Sequence, residues 1–193
     1  MNTNHALCAT PEWAEHMHNE VLDSLLAGVD LGTTLLEIGA GPGAATEWLR
    51  RRVPRVVAVE VDADVAAQLA ARFADANVEV VAGDATKLEF AEASFDSVGT
   101  FTMLHHLSTV AQQNDVFREA LRVLRPGGVL VGSDSLHSNG LHEFHEGDVY
   151  NPIEPSSLLV RLQTIGFTDV MVRVGYDIRF SARKPKQDDE PCE

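Results

Sequence analysis

Cysteine is nearly absent from this sequence. Of 193 residues only Cys8 and Cys192 are thiols. Two thiols near opposite ends fit neither a disulfide framework nor the spacing of a metal-binding cluster, and they read as plain thiols in a reducing compartment. Basic residues are scarce too: 15 against 29 acidic, a formal charge of −14. Nucleic-acid affinity rests on Lys and Arg meeting phosphates, and an anionic membrane attracts the same residues, so this balance predicts no nucleic acid and no membrane as partners. A neutral or cationic small ligand suits it better. The start of the chain lacks a basic segment followed by an apolar run, and no apolar stretch approaches the ~20 residues of a membrane span. Internal repeats are missing as well. What these absences leave is a cytoplasmic protein of one domain with a full core, or of a domain plus a small cap.

What is present is a strand, a glycine turn and a helix start between Leu35 and Thr46, reading Leu-Leu-Glu-Ile-Gly-Ala-Gly-Pro-Gly-Ala-Ala-Thr. Gly39, Gly41 and Gly43 alternate. Such a turn needs positive φ and close approach of a ligand with no Cβ in the way, and the helix that follows turns unpaired N–H groups toward that ligand. The stretch predicts a cofactor site at the carboxyl edge of a parallel sheet.

The rest of the chain alternates in period. Pro11 starts a helix behind Thr10, with Trp13, Met17, Val21, Leu22 and Leu25 on one face. That helix either packs on the sheet or covers the mouth of the site, and periodicity by itself favours packing. Residues 1–10 read as a mobile tail. Strands are predicted at Leu35–Gly39, Arg55–Val61, Val78–Ala82, Phe95–Phe101 and Val129–Ser133. Helices are predicted at Ala44–Arg52, Asp64–Ala74 and Thr109–Leu124, the last carrying Val110, Phe117, Ala120, Leu121 and Leu124 on one side and stopped by Arg-Pro-Gly-Gly at 125–128. Apolar strands interleaved with helices imply a parallel sheet covered on both faces. Residues 134–154 break the rhythm and read as a lid loop or a disordered one. A helix at Pro155–Thr164 follows, with Gly166 as its stop. Strands at Thr168–Val174 and Tyr176–Ala182 around Gly175 read as a hairpin, which forces one antiparallel strand into the sheet.

The glycine turn alone is ambiguous, because Gly39, Gly41 and Ala44 also satisfy the Gly-x-Gly-x-x-Ala form of a nicotinamide or flavin fingerprint. Glu60, at the end of the second strand, can accept both ribose hydroxyls under either alternative. Asp84 in Gly83-Asp84-Ala85 can accept from an adenine amine, and Ala85 offers a backbone N–H. Glu37, two residues before the first glycine, would meet a pyrophosphate unfavourably but suits a ligand carrying an ammonium and a sulfonium.

With these pieces together the sequence resembles the class I S-adenosylmethionine-dependent methyltransferases, in the style of their small-molecule branch. The matching segments are Leu-Glu-Ile-Gly-Ala-Gly-Pro-Gly at 36–43, Val-Glu-Val-Asp at 59–62, Gly-Asp-Ala at 83–85, and Phe-Asp-Ser-Val at 95–98 leading into Leu-His-His-Leu at 104–107. Leu-Arg-Pro-Gly-Gly at 124–128 and Gly-Phe at 166–167 complete the series. The resemblance implies a Rossmann-like, doubly wound α/β fold with a seven-stranded, mostly parallel sheet and one antiparallel strand from the C-terminal hairpin. It implies three regions: a tail and helix at 1–30, packed on the site or capping it; a cofactor-binding catalytic domain at 31–184, with 134–154 as a lid; and a disordered tail at 185–193.

The resemblance also implies roles. Gly39, Gly41 and Gly43 border the methionine part of S-adenosylmethionine, Glu37 lies near its amino group, Glu60 on the ribose and Val61 against the adenine. Asp84 and Ala85 read the adenine edge, and the Thr100 backbone and Phe101 side chain flank the methionine. Phe101 stands where relatives often carry a polar residue; its ring either faces the sulfonium as a cation–π partner or is plain core. Methyl transfer is an in-line displacement, so alignment and exclusion of water supply most of the catalysis. A base is needed only where the acceptor must lose a proton, and His106, then His105, is the candidate, unless the pair merely packs. His142, His145 and Asp148, three apart, could meet on one helical turn, but a polar lid is the better account and no metal site is expected. Tyr150 could close over a substrate or pack at the base of the loop. The expected activity is methyl transfer to O, N or C of a small-molecule acceptor, leaving S-adenosylhomocysteine. The alternatives are a nicotinamide-dependent Rossmann oxidoreductase and a non-catalytic S-adenosylmethionine-binding protein.

Overall fold

A computed structural model of the chain describes residues 3–186; Cys192 and residues 187–193 of the expected tail lie outside the described residues. Seven strands form one sheet: β1 (Thr34–Ile38), β2 (Arg55–Glu60), β3 (Val78–Ala82), β4 (Phe95–Phe101), β5 (Leu124–Ser135), β6 (Thr168–Val174) and β7 (Asp177–Arg183). Their order is β3-β2-β1-β4-β5-β7-β6. β1 to β5 are parallel. β7 runs antiparallel between β5 and β6. The doubly wound fold with its antiparallel hairpin strand is therefore as expected. After β1 the chain builds outward through β2 and β3, then returns to lay β4 on the other side of β1. This reversal leaves a crevice outside the carboxyl ends of β1, β2 and β4.

Both faces of the sheet are covered, which is why the central strands are apolar at consecutive positions. Leu35 and Leu36 are both fully buried but point to opposite faces. Leu35 joins Met17, Leu22, Trp48 and Leu49 in one core. Leu36 joins Val98, Phe117, Leu158 and Phe180 in the other. Each such side chain contributes roughly 1.5–3 kcal/mol by leaving water.

The N-terminal helix runs as three joined segments: Pro11–His16, a π-helical stretch Met17–Leu22, and Asp23–Leu25. Thr10 caps it, its hydroxyl accepting from the Trp13 N–H at 3.3 Å. The wide turn falls where the His18 ring meets the Ala44 carbonyl at 2.8 Å. Of the expected tail at 1–10, Met1 and Asn2 lie outside the described residues; Thr3–Ala9 form 3-10 turns, closed by Thr10 Oγ1 donating to the Leu7 carbonyl at 2.9 Å. The helix Val110–Val123 buries Val116, Phe117, Ala120 and Val123, while Val110, expected on that face, is half exposed. β5 begins at Leu124, so Arg-Pro-Gly-Gly lies inside the entry of a strand, beside a register shift opposite Phe95–Ser97.

At the amino edge of the sheet, Asp96 ties three segments together. Its Oδ2 accepts from the backbone and hydroxyls of Thr33 and Thr34, each at 2.9 Å. Arg125 pairs with its Oδ1. Burial works against this charge, but the hydrogen bonds from Arg125, Thr33 and Thr34 outweigh it and hold the carboxyl well below the usual range. No helix among the described residues is long and apolar enough to cross a membrane.

Candidate functional site

The glycine turn leaves β1 and is fastened to β2. Gly39 and Ala40 both donate to the Val59 carbonyl, at 2.9 and 3.1 Å. Gly43 is left-handed at φ +89° and is the N-cap of the helix Ala44–Leu49; a Cβ there would sit 2.4 Å from Leu69. Gly41 also has positive φ, +52°, but a Cβ at this position would meet nothing within 4 Å. Its face opens into the cavity that the crevice forms.

That cavity is about 760 Å³, in the range of a small-molecule site. Glu37, Gly39 and Gly41 come from the end of β1 and its turn, Glu60, Val61 and Asp62 from the end of β2, and Phe101, Thr102, Met103 and His106 from the end of β4. Val65, Gln68, Leu69 and Arg72 close one side, and Cys8, Ala9, Trp13 and Met17 the other. The N-terminal segment thus both packs on the sheet and walls the cavity. A smaller hollow of about 370 Å³ lies near the amino edge of β1, by Asp23, Leu31 and Arg52. Arg52 there stacks over Trp48, and the strand ends that bring chemistry together are at the other edge.

Two acidic side chains line this cavity in different surroundings. Glu60 Oε2 accepts from the Gly41 N–H at 2.9 Å and Oε1 from the Asp62 N–H at 3.0 Å. The side chain is clamped by two amides, and each oxygen keeps a lone pair for a further donor. Glu37 is 2 % exposed. Burial pushes its carboxyl up to about 8, against the hydrogen bond from Thr46 Oγ1, which is 2.6 Å long. A cationic group brought beside it would restore the carboxylate.

Of the remaining expected positions, Phe101 is on the cavity wall and 5 % exposed, and it belongs to the core around Trp48 and Val131. Its ring serves both as core and as wall. Thr100 is fully buried behind it. Val61 is exposed and lines the cavity. Asp84 and Ala85 do not line it. Asp84 is exposed, and its Oδ1 accepts from the Thr86 N–H and hydroxyl, both at 2.8 Å. Ala85 packs into the core. Met103, Thr102, Gln68 and Arg72 were not legible beforehand; they come from segments with no glycine or acidic signal.

The two histidines after β4 stand on a 3-10 turn, Leu104–His106. His106 lines the cavity. His105 is buried, its Nδ1 2.6 Å from Asp134 Oδ1. Asp134 has no exposure, and its Oδ2 accepts from the Leu104 N–H at 2.8 Å. The segment 134–154 is pinned to this turn. Asn151 donates its N–H to the His105 carbonyl at 2.8 Å and its side-chain amide to the Leu107 carbonyl at 2.9 Å. A short helix, Asn139–Phe144, delivers His145. Of the three-apart set His142, His145 and Asp148, His142 is exposed, whereas His145 is buried with ring centres 5.0 Å from His105 and 5.3 Å from His106. Tyr150 stacks on His145 at 4.6 Å, so it packs at the base of this segment.

Residues 36–132 match the family model described as a methyltransferase domain, half of the chain. The chain is 38% identical over 119 residues to a probable ribosomal RNA small subunit methyltransferase A of Methanosarcina mazei, covering 55% of this chain and 44% of that protein. It is 37% identical over 115 residues to a demethylmenaquinone methyltransferase of Mycolicibacterium paratuberculosis, covering 59% and 47%. It spans about half the length of these curated relatives. Among solved structures, phosphoethanolamine N-methyltransferase 2 of Haemonchus contortus, in complex with S-adenosyl-L-methionine, superposes with a TM-score of 0.76 at 17% identity, over 95% of this chain and 58% of that one.

The likeness to a protein named as a ribosomal RNA methyltransferase overturns the expectation that nucleic acid is excluded as a partner. The exclusion rested on net charge. Net charge averages over the whole surface, whereas an acceptor is met by the groups around one cavity mouth.

Proposed function

Because the chain belongs to the methyltransferase-domain family, we propose that it is an S-adenosylmethionine-dependent methyltransferase whose cofactor lies in the crevice between Glu37, Glu60 and His106. The observation that carries this is Glu60 at the end of β2, held by Gly41 and Asp62 next to the β1–β4 reversal of the sheet order. Bound there, S-adenosylmethionine supplies an electrophilic methyl on a sulfonium with a neutral leaving group. In this proposal Glu60 accepts the ribose hydroxyls, Val61 lies on the adenine, and Glu37 takes the amino group. Gly39, Gly41 and Gly43 leave clearance for the methionine chain, beside Thr100 and Phe101. The adenine edge is assigned to Asp84 and Ala85, next to β2 at the end of β3.

His106 is the side chain that meets the acceptor, and His105, tied to Asp134, stands behind it as a positioning residue. The N-terminal segment 1–30 walls the site and 134–154 serves as its lid. The scarcity of cysteine supports a cytoplasmic setting. The likeness to a demethylmenaquinone methyltransferase supports a small-molecule acceptor; the ribosomal RNA relatives support an RNA acceptor.

Calorimetry with S-adenosylhomocysteine and, separately, NAD tests the cofactor. Binding of the former alone is expected; binding of NAD alone would overturn the proposal. Transfer of labelled methyl from S-adenosylmethionine to ribosomal RNA and to a metabolite extract then identifies the acceptor class.

A further inference from the structure

We propose that His105, His106 and His145 form a three-nitrogen site for a divalent transition metal, with Zn²⁺ the best-suited ion. Each residue offers one ring nitrogen, and the three nitrogens lie within 4.8 Å of one another. A zinc ion bonds imidazole at about 2.0–2.1 Å, so a tetrahedral set needs nitrogens about 3.4 Å apart. Ring rotation and a small shift of the segment carrying His145 supply that contraction.

The proton positions favour it. His145 Nδ1 is 2.7 Å from the Leu141 carbonyl, which can only accept, so Nδ1 carries the hydrogen and Nε2 is the lone-pair nitrogen of the neutral ring. His105 Nδ1 faces the buried carboxylate of Asp134 in the same way. A ligand histidine whose other nitrogen donates to a carboxylate or a carbonyl is the usual outer arrangement of a metal site, fixing tautomer and ring direction. Both outer partners are already in place. The site is also built from three separate segments: the turn after β4, the end of β5 through Asp134, and the loop after Asn139–Phe144. Sequence spacing could not reveal it.

Three neutral ligands leave the ion its full charge and leave a four-coordinate set one position short, the donor count of catalytic rather than structural zinc. His106 belongs both to this cluster and to the cofactor cavity. In the metal-loaded protein His106 is therefore a ligand, and an oxygen or nitrogen of the acceptor is the fourth. The existence of the metal site does not rest on the methyltransferase proposal; only this link to the acceptor does.

The full-length protein, stripped with chelator, is titrated with Zn²⁺ and, in parallel, Co²⁺. One Zn²⁺ per chain, bound with a Kd below about 1 µM, and a visible Co²⁺ absorption of a nitrogen-ligated site are expected. His145→Ala and His145→Gln should each weaken Zn²⁺ at least about 100-fold, and Asp134→Asn about 10–100-fold, while His142→Ala leaves it unchanged. No stoichiometric Zn²⁺, or equal affinity in a folded His145 variant, would overturn the site. The wild-type stoichiometry and Co²⁺ spectrum decide even if the variants do not fold. Calorimetry with S-adenosylhomocysteine on the same stripped protein separates the outcomes: binding without Zn²⁺ uptake sinks the metal site alone, and Zn²⁺ uptake without that binding sinks the cofactor proposal alone.

Discussion

Glu60 holds the glycine turn open: its Oε2 accepts the Gly41 N–H at 2.9 Å, across 19 residues of chain. The amide that a pyrophosphate-binding turn would offer to its ligand is here already taken by a carboxylate. The turn is thus shaped to present Glu60 rather than its own N–H groups.

Glu60→Ala is expected to weaken S-adenosylhomocysteine binding by about 1–3 kcal/mol, the range for hydrogen bonds to a charged group. Asp84→Ala should do the same if the adenine edge is read at β3. Calorimetry on both folded variants decides; unchanged affinity in Asp84→Ala would move the adenine onto Val61 and Asp62 alone.

Glu37 gives stability a pH slope of defined sign. Unfolded, the carboxyl ionises near 4.5; folded, burial keeps its proton to about 8. Between these values the folded state binds more protons, so this group lowers stability as pH rises through the window. Thermal unfolding from pH 5 to 8 should fall less steeply in Glu37→Gln. If the amino group of the ligand lies beside Glu37, binding near pH 7 also releases a proton that Glu37→Gln does not, seen in buffers of different ionisation enthalpy.

In the metal-free protein, His106→Ala should lower methyl transfer to the identified acceptor by about 10²–10⁴-fold, the usual worth of a positioned acid or base. Affinity for S-adenosylhomocysteine should change little. Full turnover, with an unchanged pH–rate profile, would remove His106 from the chemistry.

Asp96→Asn tests the opposite edge of the sheet. Its folded carboxyl lies below the ordinary value of 3.8, so the stability it contributes is present above that value and fades as the solution is acidified further. The substitution should cost about 1–3 kcal/mol at neutral pH, read as a lower melting temperature, with cofactor affinity unchanged because Asp96 lies at the amino edge.

The fold was legible because each cue was local. Leu35 and Leu36 together announce a strand buried on both faces, Thr10-Pro11 a helix start, and Gly166 a helix stop, confirmed by its φ of +119°. The hairpin at 168–183 announced the antiparallel strand. The entry of β5 was not legible, since Pro126 and Gly127 signal a stop whichever element follows. Val116 and Val110 exchanged places because the buried face of that helix is set by the sheet it meets, not by the apolar count.

The sequence by itself determined the sheet, the glycine turn, the acids at Glu37 and Glu60, and the family, since these depend on residue type at fixed short spacing. Only the tertiary structure decided that Asp134, 29 residues from His105, clamps that ring, and that His145 lies beside His105 and His106. Such contacts cross separate loops at one sheet edge. Their pairing follows from strand order and register, which bring distant carboxyl ends together, and no local periodicity records that.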